Sequence, residues 1–144
     1  MAKKILIIED EVALLEVMRA KLMHSGYEVH TAEDGEAGLV LVHAWRPDLI
    51  LLDIVLPKMD GMQVLEALQK EGNTIPIVIV SNSGQPIEID RLFKLGARDY
   101  LVKANFTPQE VLEKVRAVLG DEGTVPPNKG RKPAGEAPSA RQRS

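Results

Sequence analysis

The chain of 144 residues has no cysteine. That excludes disulfides, thiol nucleophiles and cysteine-based metal sites, and it fits a reducing compartment. Long apolar runs are missing too: no stretch approaches the ~20 apolar residues of a membrane-spanning helix. The opening Met1-Ala2-Lys3-Lys4 is basic like a signal peptide, but Glu9-Asp10-Glu11 stops the apolar stretch behind it, residues 5–8, before it reaches signal length. A cytoplasmic protein with no membrane segment is expected. Nor is there a surplus of positive charge. The chain carries 18 Lys+Arg and 21 Asp+Glu; without the five basic and three acidic residues after position 119, the body holds 13 and 18, a net −5. Such a body argues against nucleic acid as a partner. No internal repeat is visible. What is present, 44% hydrophobic residues, is enough for one globular domain with a proper core.

The domain is expected over residues 1–119. Residues 120–144 have four Gly and four Pro and almost no large apolar side chain, so they read as a disordered polar tail. The basic end of this tail reads as a solvated tail or truncated linker ahead of a contact for an anionic partner. Within the domain, apolar runs rich in branched residues cover 5–8, 49–54 and 75–80, and shorter strand-like pieces cover 27–31 and 99–102. Helical patterns lie between them. Val12, Leu15, Met18 and Leu22 recur at helical spacing, and Ser25-Gly26 supplies a stop. Asp34 caps a second helix that runs to Trp45 and is ended by Pro47. A third follows Asp60-Gly61 and ends near Gly72, and a fourth has Pro86 in its first turn and Gly96 as its stop. Thr107-Pro108-Gln109-Glu110 is a capping box that opens the fifth. Five strands alternating with five helices imply a parallel sheet covered on both faces. The continuous apolar runs belong at its centre, and the mixed strands, two and five, nearer its edges.

In an open parallel sheet, ligands bind beyond the carboxyl ends of the strands. The first strand ends at Glu9-Asp10, the third at Asp53, the fourth at Ser81-Asn82-Ser83-Gly84 and the fifth at Lys103. Three acids, a hydroxyl and an amine thus fall at one rim. Crowded carboxylates repel one another, and a hard divalent cation removes the conflict; magnesium takes a few carboxylate oxygens together with water and phosphate oxygens. Lysine is a point-charge phosphate binder, and a serine hydroxyl donates to a phosphate oxygen. The set reads as a phosphoryl-transfer site in which a carboxylate can itself be the nucleophile. Singly, each residue has a plainer reading: Asp53 a loop cap, Glu9-Asp10-Glu11 an acidic helix start, Lys103 a surface lysine, residues 81–84 a turn. Their agreement at four strand ends favours the site. His24, His30 and His43 share no ligand spacing and read as surface or partly buried residues, and Trp45 and Met62 read as packing. No glycine-rich phosphate loop follows the first strand, which argues against a nucleotide site.

The segments "ILIIEDE", "DLILLDIVLPKMDG", "VIVSNSG" and "GARDYLVKA" resemble, in order and spacing, the marks of a response regulator receiver domain, CheY-like, of two-component signalling. The resemblance covers about residues 3–119. It implies a flavodoxin-like (βα)5 three-layer sandwich with strand order 2-1-3-4-5. It implies that Asp53 accepts a phosphoryl group and that Mg2+ is held by Glu9, Asp10, Asp53 and the backbone carbonyl of Val55. Ser81, Asn82 and Lys103 would contact the phosphoryl group, and Ser81 and Tyr100 would form the switch. The first acid is Glu9, a variation the family accepts; Asn82 stands where the family has Ala or Gly, and Ala104 where a proline is common.

The expected function is a stand-alone phosphoacceptor switch, a monomer or weak dimer. A histidine kinase or phosphotransfer protein would phosphorylate it, and it would remove the group itself while remaining a relay rather than an enzyme. Its output would be a partner bound in trans through helix 4, strand 5 and helix 5, residues 87–95, 98–102 and 108–119. One rival is a magnesium phosphohydrolase with an aspartyl nucleophile, but residue 55 is Val where a second acid would stand, and turnover of a phosphate monoester would be its mark. A flavin module of the same topology would purify yellow, and the rim acids disfavour it. The intact site disfavours an unphosphorylated scaffold.

Overall fold

The computed structural model describes residues 2–82 and 86–120. Strands and helices alternate: β1 (Lys4–Ile8), α1 (Val12–His24), β2 (Glu28–Ala32), α2 (Gly35–Trp45), β3 (Leu49–Asp53), α3 (Gly61–Lys70), β4 (Ile77–Ser81), α4 (Pro86–Lys94), β5 (Asp99–Val102) and α5 (Pro108–Leu119). A 3-10 turn over Lys103–Asn105 joins the last two. The strands form one parallel sheet in the expected order, β2-β1-β3-β4-β5. Every residue of β3 and β4 is buried, as is β1 beyond Lys4, so these strands need apolar side chains on both faces and take the centre. At the edges, β2 exposes Glu28 and His30, and β5 is only partly covered. Of the expected tail, residues 120–144, Gly120 is described and closes α5 in a left-handed conformation; residues 121–144, with Ser83 and Gly84, lie outside the described residues.

Alternation along each strand divides the core in two. Leu6, Ile8, Ile50, Leu52, Ile77 and Ile79 face α2, α3 and α4. Ile5, Ile7, Leu49, Leu51 and Val78 face α1 and α5, where Leu15, Met18, Leu22, Val111, Leu112 and Val115 meet them. Each fully buried Leu or Ile contributes roughly 1.5–3 kcal/mol relative to exposure. Trp45 and Met62 pack against the first of these cores, as expected. The helix starts follow the sequence: Asp34 accepts from the Ala37 amide at 2.7 Å, and Asp60 with Gln63, like Thr107 with Glu110, makes a reciprocal capping box.

Strand limits differ from expectation by a residue or two in β1, β2, β3 and β4, and two of these shifts have a visible cause. The Tyr27 amide donates to the Leu22 carbonyl at 3.1 Å, closing the end of α1, so β2 starts at Glu28 and runs to Ala32. Ile75 is held by Asn73, whose side chain accepts from the Ile75 amide and donates to its carbonyl, so β4 begins after Pro76, at Ile77.

Candidate functional site

Strand register brings the rim together. Asp53 ends β3 level with Val80, one residue short of Ser81; Ser81 ends β4 level with Val102, one residue short of Lys103. Ile8 pairs with Leu52, so Glu9 emerges beside Asp53. Glu9, Asp53 and Ser81 are buried, whereas Asp10 and Asn82 are exposed.

The Lys103 ammonium is the hub. It donates to Glu9 Oε2 at 3.1 Å, Asp53 Oδ2 at 2.9 Å and Glu11 Oε1 at 2.8 Å. Burial pulls its pKa down, but the hydrogen bonds to Glu11, Asp53 and Glu9 outweigh that and hold it above the usual lysine value. Glu9 behaves in the opposite way. Burial pushes its carboxyl from 4.5 to about 7 and Asp53 adds to the rise, against hydrogen bonds from the Glu11 amide and Lys103. Among the described residues, Glu9 Oε1 is the buried side-chain atom without a hydrogen-bond partner. Carboxylate oxygens of Glu9, Asp10 and Asp53 lie within 4.8 Å of one another. An all-oxygen cluster with one buried, unpartnered acceptor fits a hard divalent cation.

The loop after β3 is shaped around Asp53. The Val55 amide donates to Asp53 Oδ1 at 3.3 Å, and the Gly61 amide to the Ile54 carbonyl at 2.8 Å. Lys58 takes φ 67 at the centre of a tight turn closed by Met59 N–H to the Pro57 carbonyl at 2.7 Å. A Cβ at Gly61 would collide with the Asp53 carbonyl oxygen, so only glycine lets α3 start this close to the acid.

The structure therefore gathers Glu9, Asp10, Asp53 and Lys103 at one point, with Ser81 at the end of the neighbouring strand. Tyr100 stands further back, the second residue of β5, half-buried and edge-to-face with Phe93 of α4 at 6.2 Å between centroids. The histidines are exposed and serve elsewhere: His30 stacks on Trp45 at 3.9 Å, and His43 meets Glu71 at 2.7 Å. Two participants had no role in the sequence reading. One is Glu11, whose signal was only that it is a third acid in a run. The other is Gly61, which read as a turn.

The description "response regulator receiver domain" belongs to the family model that matches residues 5–116. The chain is 39% identical over 119 residues to the alkaline phosphatase synthesis transcriptional regulatory protein PhoP of Bacillus subtilis, covering 83% of this chain and 49% of that protein. It is 38% identical over 125 residues to the DNA-binding dual master transcriptional regulator RpaA of Synechocystis, covering 85% and 52%. The chain thus spans about half the length of these curated relatives. Among solved structures, the chemotaxis response regulator CheY4 of Vibrio cholerae is similar with a TM-score of 0.76 and 29% identity, over 83% of this chain and all of that one. A Francisella response regulator receiver domain gives 0.78 and 26%, over 83% and 98%.

Proposed function

Because the chain belongs to the response regulator receiver domain family of two-component signalling, we propose that Asp53 is its phosphoacceptor. The observation that carries the reading is one buried carboxylate at the end of β3 that shares the Lys103 ammonium with buried Glu9. The donor is the phosphohistidine of a histidine kinase or phosphotransfer protein. An Asp53 carboxylate oxygen attacks phosphorus, the phosphorus–nitrogen bond breaks, and the imidazole leaves with the electron pair, giving an acyl phosphate. Attack of water on that phosphorus releases inorganic phosphate and restores the carboxylate, so the switch resets itself. Glu9, Asp10, Asp53 and the Val55 carbonyl would hold Mg2+, which when bound offsets the negative charge of carboxylates and phosphoryl oxygens. Lys103 and the Ser81 hydroxyl bind the phosphoryl oxygens, and Asn82, exposed beside Ser81, lines their approach.

Output runs from Ser81 to Tyr100. A shift of Ser81 toward the phosphoryl group changes the space beside Tyr100, and the Phe93–Tyr100 contact links that change to α4. A downstream protein on the α4–β5–α5 face reads the signal only by preferring one state. The net −5 body argues against direct contact with nucleic acid; RpaA is DNA-binding by name, and about half its length lies outside the match. No helix among the described residues is long and apolar enough to cross a membrane, which supports a cytoplasmic place.

The test is intact mass after acetyl phosphate and Mg2+. The wild type gains one phosphoryl group and Asp53→Asn gains none while remaining folded; undiminished labelling of the variant overturns the assignment. On the same protein, beryllofluoride with Mg2+ shifts amide NMR signals in α4 and at Tyr100. Shifts confined to the loops after β1 and β3 would refute the output route and leave only a local phosphate site.

A further inference from the structure

Lysine has three ammonium protons, and in this protein all three are committed to carboxylates: Glu9, Asp53 and Glu11. The three acceptors differ in what they lose by letting go. The side chains of Glu9 and Asp53 are 1% and 2% exposed, so releasing either leaves a buried carboxylate short of a partner. The Glu11 side chain is 64% exposed and returns to water.

Glu11 also sits where a side chain has another task. It is the N-cap residue of α1, yet it makes no side-chain cap. The N-cap residues of α2, α3 and α5 each accept an amide from their own first turn. Glu11 spends its carboxylate across the rim instead, on Lys103, at the shortest of that lysine's three contacts.

A phosphoryl group on Asp53 presents oxygens to Lys103. The hydrogen bond now donated to Asp53 turns to that group, which the same residue carries. A second phosphoryl contact has to displace Glu9 or Glu11, and the exposure difference selects Glu11. Resting on the reading of Asp53 as phosphoacceptor, we propose that Glu11 is a positioning residue: it accepts one Lys103 hydrogen bond in the resting state and gives up that donor to a phosphoryl oxygen. Its contact therefore favours the unphosphorylated state, and removing it strengthens binding of a phosphoryl group.

Two variants separate contact from charge. Glu11→Gln keeps the length and loses the charge; Glu11→Asp keeps the charge and falls one methylene short. Each is titrated with beryllofluoride at saturating Mg2+, and separately with Mg2+ alone, by calorimetry. Both variants are expected to bind beryllofluoride about two- to fivefold more tightly, the size of an exposed ion pair, and Glu11→Asp is expected to keep wild-type affinity for Mg2+ alone. Tighter beryllofluoride binding only in Glu11→Gln means that Glu11 acts through net charge and overturns the proposal. Wild-type affinity in both variants, or weaker binding in either, overturns it too, while leaving Asp53 in its role. If the wild-type protein takes up no beryllofluoride, the phosphoacceptor reading fails and the Glu11 proposal falls with it.

Discussion

At the carboxyl end of the sheet, Gly35 and Gly61 stand where an added Cβ would strike the carbonyl oxygens of Met59 and Asp53. At the amino end, where the helices finish, Gly26, Gly72, Gly96 and Gly120 have nothing within 4 Å of that position and take φ values of 98, 74, 108 and 77. One residue type thus answers two demands. At the rim it lets backbone segments approach until the β3–α3 loop closes around Asp53. At the base it supplies the left-handed turn that ends a helix. The charges divide the same way. The rim holds Glu9, Asp53 and Lys103 almost out of water, whereas the His43–Glu71 pair, which ties the last turn of α2 to the end of α3, is about half exposed. A side-chain pair that exposed contributes little. The base is built for stability and tolerates change. The rim accepts buried charge and close contacts, and it gives up stability to do so.

The largest effect expected from this contrast is at Gly61. In Gly61→Ala the new methyl group meets backbone, which cannot rotate away, so the β3–α3 loop has to move. A stability loss on the order of 3 kcal/mol is expected from urea unfolding. Phosphorylation by acetyl phosphate should fall with it, because the same loop carries the Val55 amide that hydrogen bonds Asp53. A variant with wild-type labelling would show that the close approach matters to packing alone.

Glu9 sharpens the contrast with the opposite sign. Its folded-state pKa of about 7 lies above its ordinary 4.5. Between those values the folded protein holds a proton that the unfolded chain has released, so stability declines as pH rises from about 5 to 7 and levels off above. Without metal, Glu9→Gln should match the wild type near pH 5 and exceed it by roughly 1–3 kcal/mol at pH 8. The same change should weaken Mg2+ binding. Equal urea midpoints for the two proteins across this pH range would mean that buried Glu9 carries no penalty.

How far each end could be read beforehand follows from whether its cause is local. The central strands were legible because burial on both faces demands unbroken apolar runs, as in residues 49–52. The rim acids and Lys103 were legible because a parallel sheet delivers every strand's carboxyl end to one side. The start of β2 was misplaced by one residue because the Tyr27 amide is taken by Leu22, a bond that depends on how α1 closes. The start of β4 was misplaced because Asn73 grips Ile75. Neither the Glu11–Lys103 contact nor the collision awaiting a Cβ at Gly61 could be read from spacing. The first joins residues 92 apart, and the second depends on the path of the loop between β3 and α3.

The smallest effect belongs to the base and completes the comparison with Gly61. Gly72 follows α3 at φ 74; its amide donates to the Gln69 carbonyl at 3.0 Å, and the Asn73 amide to the Leu68 carbonyl at 3.0 Å. These bonds satisfy the last carbonyls of the helix only while residue 72 stays left-handed. Alanine in that conformation costs about 1 kcal/mol, and open space around the position adds no collision. Gly72→Ala should therefore lose about 1 kcal/mol in urea unfolding and keep wild-type labelling by acetyl phosphate, because no atom of the rim has to move. Two glycine-to-alanine changes at opposite ends of α3 then differ in kind as well as in size: one breaks a contact the site needs, the other strains only its own backbone. A loss of labelling in Gly72→Ala would show that strain at the base reaches Asp53 through α3, and the two ends of the sheet would have to be treated as one unit.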